Sequence, residues 1–299
     1  AFPAYAIGGF TVGRTTYGVP VAIENVAMIT NVKLVAKAPA NFAALSTAAL
    51  ALKKAGKVTV PFAVPQGSGG DAYHMYPLFS GLGGYIFGKN AAGGLDKYND
   101  GVANPTFIKN SSIIDGWNKS GLINSKVDYG TAKDAFTKGK SPFWITGPWE
   151  VSSLRTMLSA GAKIRVGAVP NIVKGINPVP FLGVQGILVT KYADTHGVGL
   201  QARSLAAEFF TSANAQSEMS AKNGRFPANL AAGAKVTDPF LKAFGKAGAG
   251  GVPLPNIPEM GSVWGNLGGA WVKSTKGVGA TKASVAFTAA RNAIDAAIP

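Results

Sequence analysis

Apolar and polar positions along this chain follow the periods of strands and helices in alternation. Residues 17–30 form a mostly apolar, extended run that a single acid, Glu24, interrupts. Residues 41–54 begin at an asparagine, are rich in alanine and leucine, and stop before Gly56, which predicts a helix with start and stop signals. Further strands are predicted at 57–64, 142–145, 164–169 and 181–190, and further helices at 75–82, 107–117, 131–138, 149–158, 204–219, 262–272 and 282–298, with another that begins at Asp238 and Pro239.

This alternation of strands and helices indicates an α/β fold. A chain of 299 residues is long enough for about two domains, and 47% apolar against 14% charged residues is typical of a globular protein. No apolar run approaches the roughly 18 residues that a membrane-spanning helix needs. The first residues lack the basic and apolar regions of a signal peptide, so we expect either that the numbering starts after processing or that an N-terminal portion is missing.

The chain has no cysteine and only two histidines, His74 and His196. The absence of cysteine excludes a disulfide framework, thiolate catalysis and cysteine-ligated metal. Two histidines are too few for the multi-histidine sites that hold zinc or iron. We therefore expect neither a metal nor a cofactor.

The 29 basic residues outnumber the 14 acidic residues and give a net charge of +15. Such an excess is compatible with a nucleic acid, an acidic membrane, a cell-wall polymer, or only a soluble surface. Nucleic-acid binding predicts basic residues concentrated in a patch with interleaved aromatic residues. The lysines here stand singly along the chain, so we expect a solvated basic surface and no nucleic-acid partner. These scattered lysines include Lys33, Lys37, Lys89, Lys97, Lys119, Lys174 and Lys242.

Three local motifs resemble phosphate-binding or catalytic signatures but lack their context. Residues 139–141 match the end of a phosphate-binding loop, yet an aspartate stands where that loop requires its first glycine. The glycine-rich run 66–70 matches neither the dinucleotide fingerprint nor the nucleophile elbow. Ser68, Asp71 and His74 stand close in sequence, which does not establish the geometry of a catalytic triad.

Three aromatic residues stand beside turns or acids. Trp149 follows a Thr-Gly-Pro turn, Trp264 follows a proline-rich segment, and Tyr73 comes two residues after Asp71. A sugar offers an apolar C–H face and a rim of hydroxyl groups, so an aromatic plate edged by carboxylates or amides suits it. The other tryptophans, which we place in the core, are Trp117, Trp144 and Trp271.

Four stretches of the chain resemble the maltose/maltodextrin-binding proteins, the sugar-binding components of ABC importers. They are YGVPVAIENVAMITN (17–31), DAYHMYPLFSGLGGY (71–85), VDYGTAKDAFTKGKSPFWITGPWEVS (127–152) and LPNIPEMGSVWG (254–265). The stretches run in family order across nearly the whole chain. The resemblance implies a type II periplasmic-binding-protein-like fold, in which two α/β lobes are joined by crossing hinge strands and enclose the ligand between them.

The resemblance also implies where the lobes begin and end. The N-terminal-type lobe would comprise 1–22 and 187–236, and the C-terminal-type lobe 26–181 and 239–299, with hinges near 20–25, 181–186 and 237–239. A lobe of this class needs on the order of 150 residues. We therefore expect the first lobe to be incomplete, because the β-α units that build most of it in the family have no counterpart before the first hinge.

Carried over one position at a time, the resemblance implies five ligand-binding residues. Glu24 matches the hinge glutamate that accepts sugar hydroxyl groups, and Asp71 stands where the family has an acid. Tyr73 matches a stacking or hydrogen-bonding tyrosine. Trp149 and Trp264 match two tryptophan plates of the larger lobe.

Two glycines depart from the family pattern, because Gly265 and Gly268 replace an aromatic residue and an arginine that line the site in the best-known maltodextrin binders. The ligand is therefore left open among maltose, a longer maltodextrin, trehalose and another disaccharide.

We expect a monomeric, extracytoplasmic binding protein, periplasmic or lipid-anchored at the outer face of the membrane. It would deliver its sugar to ABC permease subunits and would not be an enzyme. The alternative is a secreted glycosidase for maltodextrin-like glucans, with Glu24 and Asp71 as its carboxylate pair.

Overall fold

The computed structural model of the protein describes residues 1–12 and 14–299, which fall into two units. The first unit comprises Ala1–Val26, Gly147–Arg155 and Phe181–Asn256. The second unit comprises Ala27–Thr146, Thr156–Pro180 and Ile257–Pro299. Strands and helices alternate in both, so the predicted α/β class is confirmed.

The elements follow one another along the chain with short connections. The strands are β1 (Thr11–Val12), β2 (Thr15–Thr16), β3 (Gly18–Glu24), β4 (Ala27–Asn31), β5 (Phe87–Lys89), β6 (Leu95–Asp100), β7 (Phe143–Thr146), β8 (Ile164–Gly167), β9 (Phe181–Leu188), β10 (Phe226–Pro227) and β11 (Val252–Pro253). The helices are α1 (Ala4–Gly8), α2 (Phe42–Lys54), α3 (Ala72–Gly81), α4 (Pro105–Asn110), α5 (Ser112–Ser120), α6 (Tyr129–Thr137), α7 (Val151–Ser159), α8 (Lys191–Thr195), α9 (Gly199–Ser204), α10 (Ala213–Asn223), α11 (Leu230–Ala234), α12 (Pro239–Ala247), α13 (Met260–Thr275) and α14 (Ala283–Ala297). A 3-10 turn covers Pro148–Glu150, and a π turn covers Leu205–Phe209.

The first unit is built on a four-stranded sheet in the order β10-β3-β9-β11. Strand β3 runs antiparallel to both of its neighbours, and β11 runs parallel to β9. The register places Ile23 opposite both Val184 and Phe226. It thereby sets the end of β3, where Glu24 stands, between the other two strands.

The second unit contains a three-stranded antiparallel sheet in the order β7-β4-β8 and a hairpin of β5 and β6. The first four residues of β4, the central strand, are all buried. Trp117, Trp144 and Trp271 are all at most 6% exposed. The prediction that these three tryptophans belong to the core is therefore confirmed.

Helix boundaries follow the capping signals that the sequence carries. The side chain of Asn41 accepts a hydrogen bond from the backbone N–H of Ala44 at 2.9 Å, which begins α2 as predicted. The side chain of Asp238 accepts from the N–H of Leu241 at 2.9 Å and begins α12, with a proline as its first residue. Both predicted helix starts are confirmed.

Three predicted elements differ from the structure, and the first is the helix at 107–117, which is divided at Ser111 into α4 and α5. The predicted strand at 57–64 makes only an isolated bridge, from Ala63 to Trp144, because Pro61 has no N–H to donate to a ladder. The predicted helix at 204–219 is divided into the end of α9, the π turn and α10. Ser212 causes this break, since its hydroxyl accepts from the N–H of Ala215 and begins a new helix.

The observed units differ from the predicted lobes in two segments. Residues 147–155 and 239–256 lie in the first unit, whereas the sequence placed them with the larger, C-terminal-type lobe. The reason is local packing, since α12 contacts the 3-10 turn and β11 pairs with β9. Among the described residues, no helix has both the length and the apolar character to cross a bilayer.

Candidate ligand-binding residues

A close contact between two glycines places the beginning of α3 against the middle of α13 in the second unit. A Cβ atom on Gly70 would overlap the backbone of Gly268, and a Cβ on Gly268 would lie 2.8 Å from the carbonyl oxygen of Gly69. Gly70 also has a φ of +73°, a conformation that favours glycine. The loop can approach the helix this closely only because both positions lack side chains.

Asp71 follows this contact directly and begins α3. Its Oδ1 accepts from the backbone N–H of His74 at 2.9 Å, and its Oδ2 lies 2.7 Å from His74 Nδ1. Burial raises the pKa of Asp71, but the hydrogen bonds and Coulombic attraction from His74 outweigh that effect and hold the pKa below its usual value. The side chain is 28% exposed, so an ionised carboxylate is presented at the surface of the unit.

Trp264 stands one helical turn before Gly268 and therefore on the same face of α13. It is half-buried, whereas Trp271, seven residues later, is fully buried against Phe287. Gly265 next to it is exposed, and a Cβ there would meet nothing within 4 Å. Trp264 thus presents a half-buried indole on the helix that the Asp71 loop contacts.

Within the second unit, a row of aromatic rings leads from α3 to the buried core. The ring of Tyr73 lies 5.9 Å from that of His74, and the His74 ring lies 5.7 Å from that of Tyr129. Tyr129 in turn lies 6.4 Å from the buried Trp144, with its hydroxyl 3.5 Å from Thr146 Oγ1. His74 and Tyr129 are not among the five predicted contacts, and nothing in the sequence places Tyr129 beside His74, because the two rings come from different helices, α6 and α3.

Glu24 lies in the first unit, where both of its carboxylate oxygens accept hydrogen bonds. Gln185 Nε2 donates to Oε1 at 2.9 Å, and Arg225 Nε donates to Oε2 at 2.9 Å. The sheet register explains both contacts. Arg225 is adjacent to the strand residue that pairs with Ile23, and Gln185 is a diagonal neighbour of Glu24 on β9.

A cavity of about 540 Å³ adjoins Glu24 within the first unit. Its walls are mostly apolar, and Glu24 and Lys242 are the charged residues among them. A cavity of this size and composition is typical of small-molecule sites. The apolar lining includes Tyr5, Ile23, Leu182, Phe226 and Phe244.

Trp149 lies on the 3-10 turn of the first unit and is half-buried. Its indole folds back over the preceding backbone, since a Cβ on Gly147 would overlap the six-membered part of the ring. The glycine of the Thr-Gly-Pro turn therefore has a steric role, which is to admit the indole. The structure does not include Trp149 among the residues that line the 540 Å³ cavity.

The five predicted site residues thus divide between the two units. Asp71, Tyr73 and Trp264 belong to the second unit, where the glycine contact brings the first two to the helix that carries the third. Glu24 and Trp149 belong to the first unit. Among the described residues, no group of three or more acidic or histidine side chains is arranged to hold a metal ion.

Comparisons with known proteins identify the family of the chain. Residues 2–244 match the sequence profile of the family described as bacterial extracellular solute-binding protein. The maltodextrin-binding protein of Bacillus subtilis (strain 168) is 29% identical over 274 residues, which cover 85% of this chain and 60% of that protein. A maltooligosaccharide ABC transporter solute-binding lipoprotein of Streptococcus pneumoniae (strain ATCC BAA-255 / R6) is 27% identical over 263 residues, covering 83% of this chain and 58% of that protein.

A relative named for a different sugar also matches. The galactooligosaccharide-binding protein of Bacillus subtilis (strain 168) is 26% identical over 202 residues, which cover 64% of this chain and 46% of that protein. The chain therefore spans between 46% and 60% of the length of these three relatives.

Proposed function

Because the chain belongs to the family of bacterial extracellular solute-binding proteins, we propose that it captures a neutral oligosaccharide of the maltodextrin type and delivers it to an ABC importer. The proposed site of action lies outside the cytoplasm, in the periplasm or at the outer face of the cell membrane. The names of two relatives support this choice of ligand and partner. Because one relative is named for galactooligosaccharides, the proposed ligand class includes other neutral oligosaccharides.

The observation that carries this proposal is the contact of Gly70 with Gly268, which brings Asp71 and Tyr73 to the helix of Trp264. A half-buried indole and an ionised carboxylate on two contacting segments suit the two surfaces of a sugar ring, an apolar face and a hydroxyl rim. His74 donates to each oxygen of Asp71, and the backbone of Tyr73 also hydrogen-bonds to this carboxylate. The side chain is nevertheless 28% exposed, so a sugar hydroxyl group can approach it.

Glu24 and Trp149 are proposed as ligand-contacting residues of the first unit. Arg225 and Gln185 hold the Glu24 carboxylate in one orientation, which lowers the entropic cost of ordering it when a hydroxyl group binds. We propose that the protein distinguishes sugars by the free-energy cost of leaving a polar group without a hydrogen-bond partner. A sugar that leaves one of these acids without a hydroxyl partner would bind about 1–3 kcal/mol more weakly.

The glycosidase alternative has less support. A general acid of that mechanism must be protonated near neutral pH, which requires a raised pKa. The pKa of Asp71 is instead lowered, and Glu24 is ion-paired with Arg225. The Asp71 carboxyl group is therefore not prepared to donate a proton, and the matching family consists of solute-binding proteins.

Tryptophan fluorescence during titration with maltose, maltotriose and maltotetraose tests the proposal. We expect saturable quenching or a spectral shift, and a loss of affinity of at least about tenfold in Trp264→Ala and in Asp71→Asn. Tyr98→Ala is a matched control, because Tyr98 is a 70% exposed aromatic residue of the second unit on another element. Unchanged affinity in both site variants, or release of smaller sugars on incubation, would remove the proposal.

A further inference from the structure

Lysines that stand apart in the sequence come together at one end of the sheet of the second unit. The loop segments 31–41, 55–62, 137–142 and 160–165 together contain six lysines, one arginine and no acidic residue. All six lysines are exposed. They form a surface, here called the basic edge, that consists of Lys33, Lys37, Lys57, Lys138, Lys140 and Lys163.

Backbone hydrogen bonds hold these segments side by side. The N–H of Val32 donates to the carbonyl oxygen of Lys163 at 2.8 Å, and residues 59 and 60 both donate to the carbonyl of Lys140 at 3.1 Å. The C-terminal end of β4 and the N-terminal ends of β7 and β8 lie at the same sheet edge, because β4 is antiparallel to both neighbours. The lysines of the four segments are therefore neighbours in the fold.

Other groups at this edge add rigidity without cancelling its charge. Arg165 Nη2 donates to the carbonyl oxygen of Ala36 at 2.6 Å, which braces the loop that carries Lys33 and Lys37. Asp134, on the helix before the third segment, pairs with Lys138 at 2.7 Å, but both side chains are more than half exposed. An exposed pair of this kind offsets little of the surrounding positive potential.

We propose that the basic edge binds the anionic phospholipid headgroups of a membrane surface. Lysine ammonium groups are compact charges on flexible stems, suited to phosphate groups presented in many orientations. The only aromatic residue of the four segments is Phe62, which is 1% exposed, so the edge offers no surface on which nucleobases could stack. The end of a sheet with lysines from four loops presents a broad array of charges, which fits a plane of headgroups.

Each lysine of the basic edge is expected to add to the free energy of membrane binding. Each lysine near an anionic membrane contributes about 1 kcal/mol, which corresponds to about fivefold in binding. Attachment through this edge would keep the protein close to the membrane in which its proposed importer resides. The inference concerns the charge of the second unit and stands whether or not the proposed sugar is the ligand.

Co-sedimentation with phosphatidylglycerol-containing vesicles tests the inference. The edge variant carries Lys33→Glu, Lys57→Glu, Lys140→Glu and Lys163→Glu. The matched control carries Lys89→Glu, Lys109→Glu, Lys126→Glu and Lys276→Glu, which alter four exposed lysines of the same unit outside the four segments. Both variants change the net charge by the same amount, so a difference between them reports position.

We expect the edge variant to lose at least about tenfold in vesicle partitioning and the control variant to retain binding within about threefold of the unaltered protein. Addition of salt is expected to weaken the remaining binding, because exposed charges are screened. Equal losses in the two variants would overturn the inference, since net charge alone would then explain binding. Edge-dependent binding to soluble polyphosphate without binding to vesicles would also overturn it, in favour of a polyanionic polymer. A sugar titration of the edge variant separates this outcome from failure of the proposed function.

Discussion

The backbone of Gly70 lies so close to the carbonyl group of Gly268 that no side chain fits on either residue without displacing the loop. This contact fixes Asp71, the next residue, relative to the helix that carries Trp264. By its resemblance to the family, Gly268 replaces an arginine. The structure gives that glycine a separate role, because a larger residue there would push away the loop that positions an acid.

Gly70→Ala is expected to lower the free energy of unfolding by at least about 2 kcal/mol. An alanine at this position would be strained by the left-handed backbone conformation, and its methyl group would overlap the α13 backbone. Asp71 would move with the loop, so sugar affinity should fall in the same variant. Urea denaturation and tryptophan fluorescence titration measure the two effects.

Gly265→Ala is the matched control for that substitution. Gly265 lies in the interior of the same helix, and its added Cβ would meet nothing within 4 Å. Alanine should therefore raise stability by roughly 0.5–1 kcal/mol through helix propensity. If both alanine variants were equally stable, the close glycine contact would have no energetic role.

The ion pair between Glu24 and Arg225 is expected to show measurable coupling. The Glu24 side chain is only 9% exposed, so Arg225→Met leaves a largely buried carboxylate with Gln185 as its remaining hydrogen-bond donor. We expect Arg225→Met to cost about 1–3 kcal/mol of stability. A double-mutant cycle with Glu24→Gln should give a coupling energy of about 1–2 kcal/mol.

A second ion pair of the first unit supplies the comparison. Arg203 and Asp194 also lie within hydrogen-bonding distance, but their side chains are 52% and 54% exposed. The same cycle on this pair should give a much smaller coupling energy than the Glu24–Arg225 pair, because solvent screens exposed charges. Equal coupling in the two pairs would show that burial of Glu24 does not strengthen its interaction.

The sequence predicted those features that depend on residues close together in the chain. The caps at Asn41 and Asp238 and the buried positions of Trp117, Trp144 and Trp271 all follow from local pattern and residue size. The strand predicted at 57–64 is absent although its apolar residues alternate, because Pro61 has no N–H group for a ladder hydrogen bond.

Features that depend on strand register could not be predicted from the sequence. Arg225 meets Glu24 across 201 positions of the chain, because β10 pairs with β3 in one particular register. The basic edge arises in the same way, since loops from four distant segments meet where three strands end. Lysines that stand singly in the sequence therefore became neighbours in the fold. The five proposed ligand contacts themselves stay a prediction.

Gly147→Ala is expected to displace the indole of Trp149. The added methyl group would occupy the volume of the ring, which must then rotate or move the 3-10 turn. Overpacking of this kind costs about 1–3 kcal/mol and should alter the near-UV circular dichroism of the protein. Gly245→Ala in α12 is the control, since its Cβ would meet nothing within 4 Å and the helix should gain stability. An unaltered spectrum in Gly147→Ala would contradict the observed position of the indole.

A carboxyl group away from the proposed ligand contacts gives the second unit an unusual response to pH. Asp100 is 5% exposed, and its Oδ1 accepts from the N–H of Val102 at 2.5 Å. Burial raises the pKa of Asp100 to about 6; the hydrogen bond from Val102 and the charge of Arg291 oppose this rise, and neighbouring Asp295 adds to it. The folded protein therefore binds a proton here that the unfolded chain, with an ordinary pKa near 3.9, releases between about pH 4 and 6.

Asp100→Asn is expected to stabilise the protein at pH 7 and to have little effect at pH 4. Above pH 6 the folded protein must hold an ionised, buried Asp100, which opposes folding; this penalty declines as the pH falls from about 6 to about 4. After allowance for solvent screening, the gain at pH 7 should be about 1–2 kcal/mol. Asparagine keeps an oxygen that can accept from Val102, so the local turn should be preserved. Urea denaturation between pH 4 and 7 measures both proteins, and a variant that is less stable at pH 7 with the same pH dependence would show that Asp100 is ionised there without cost.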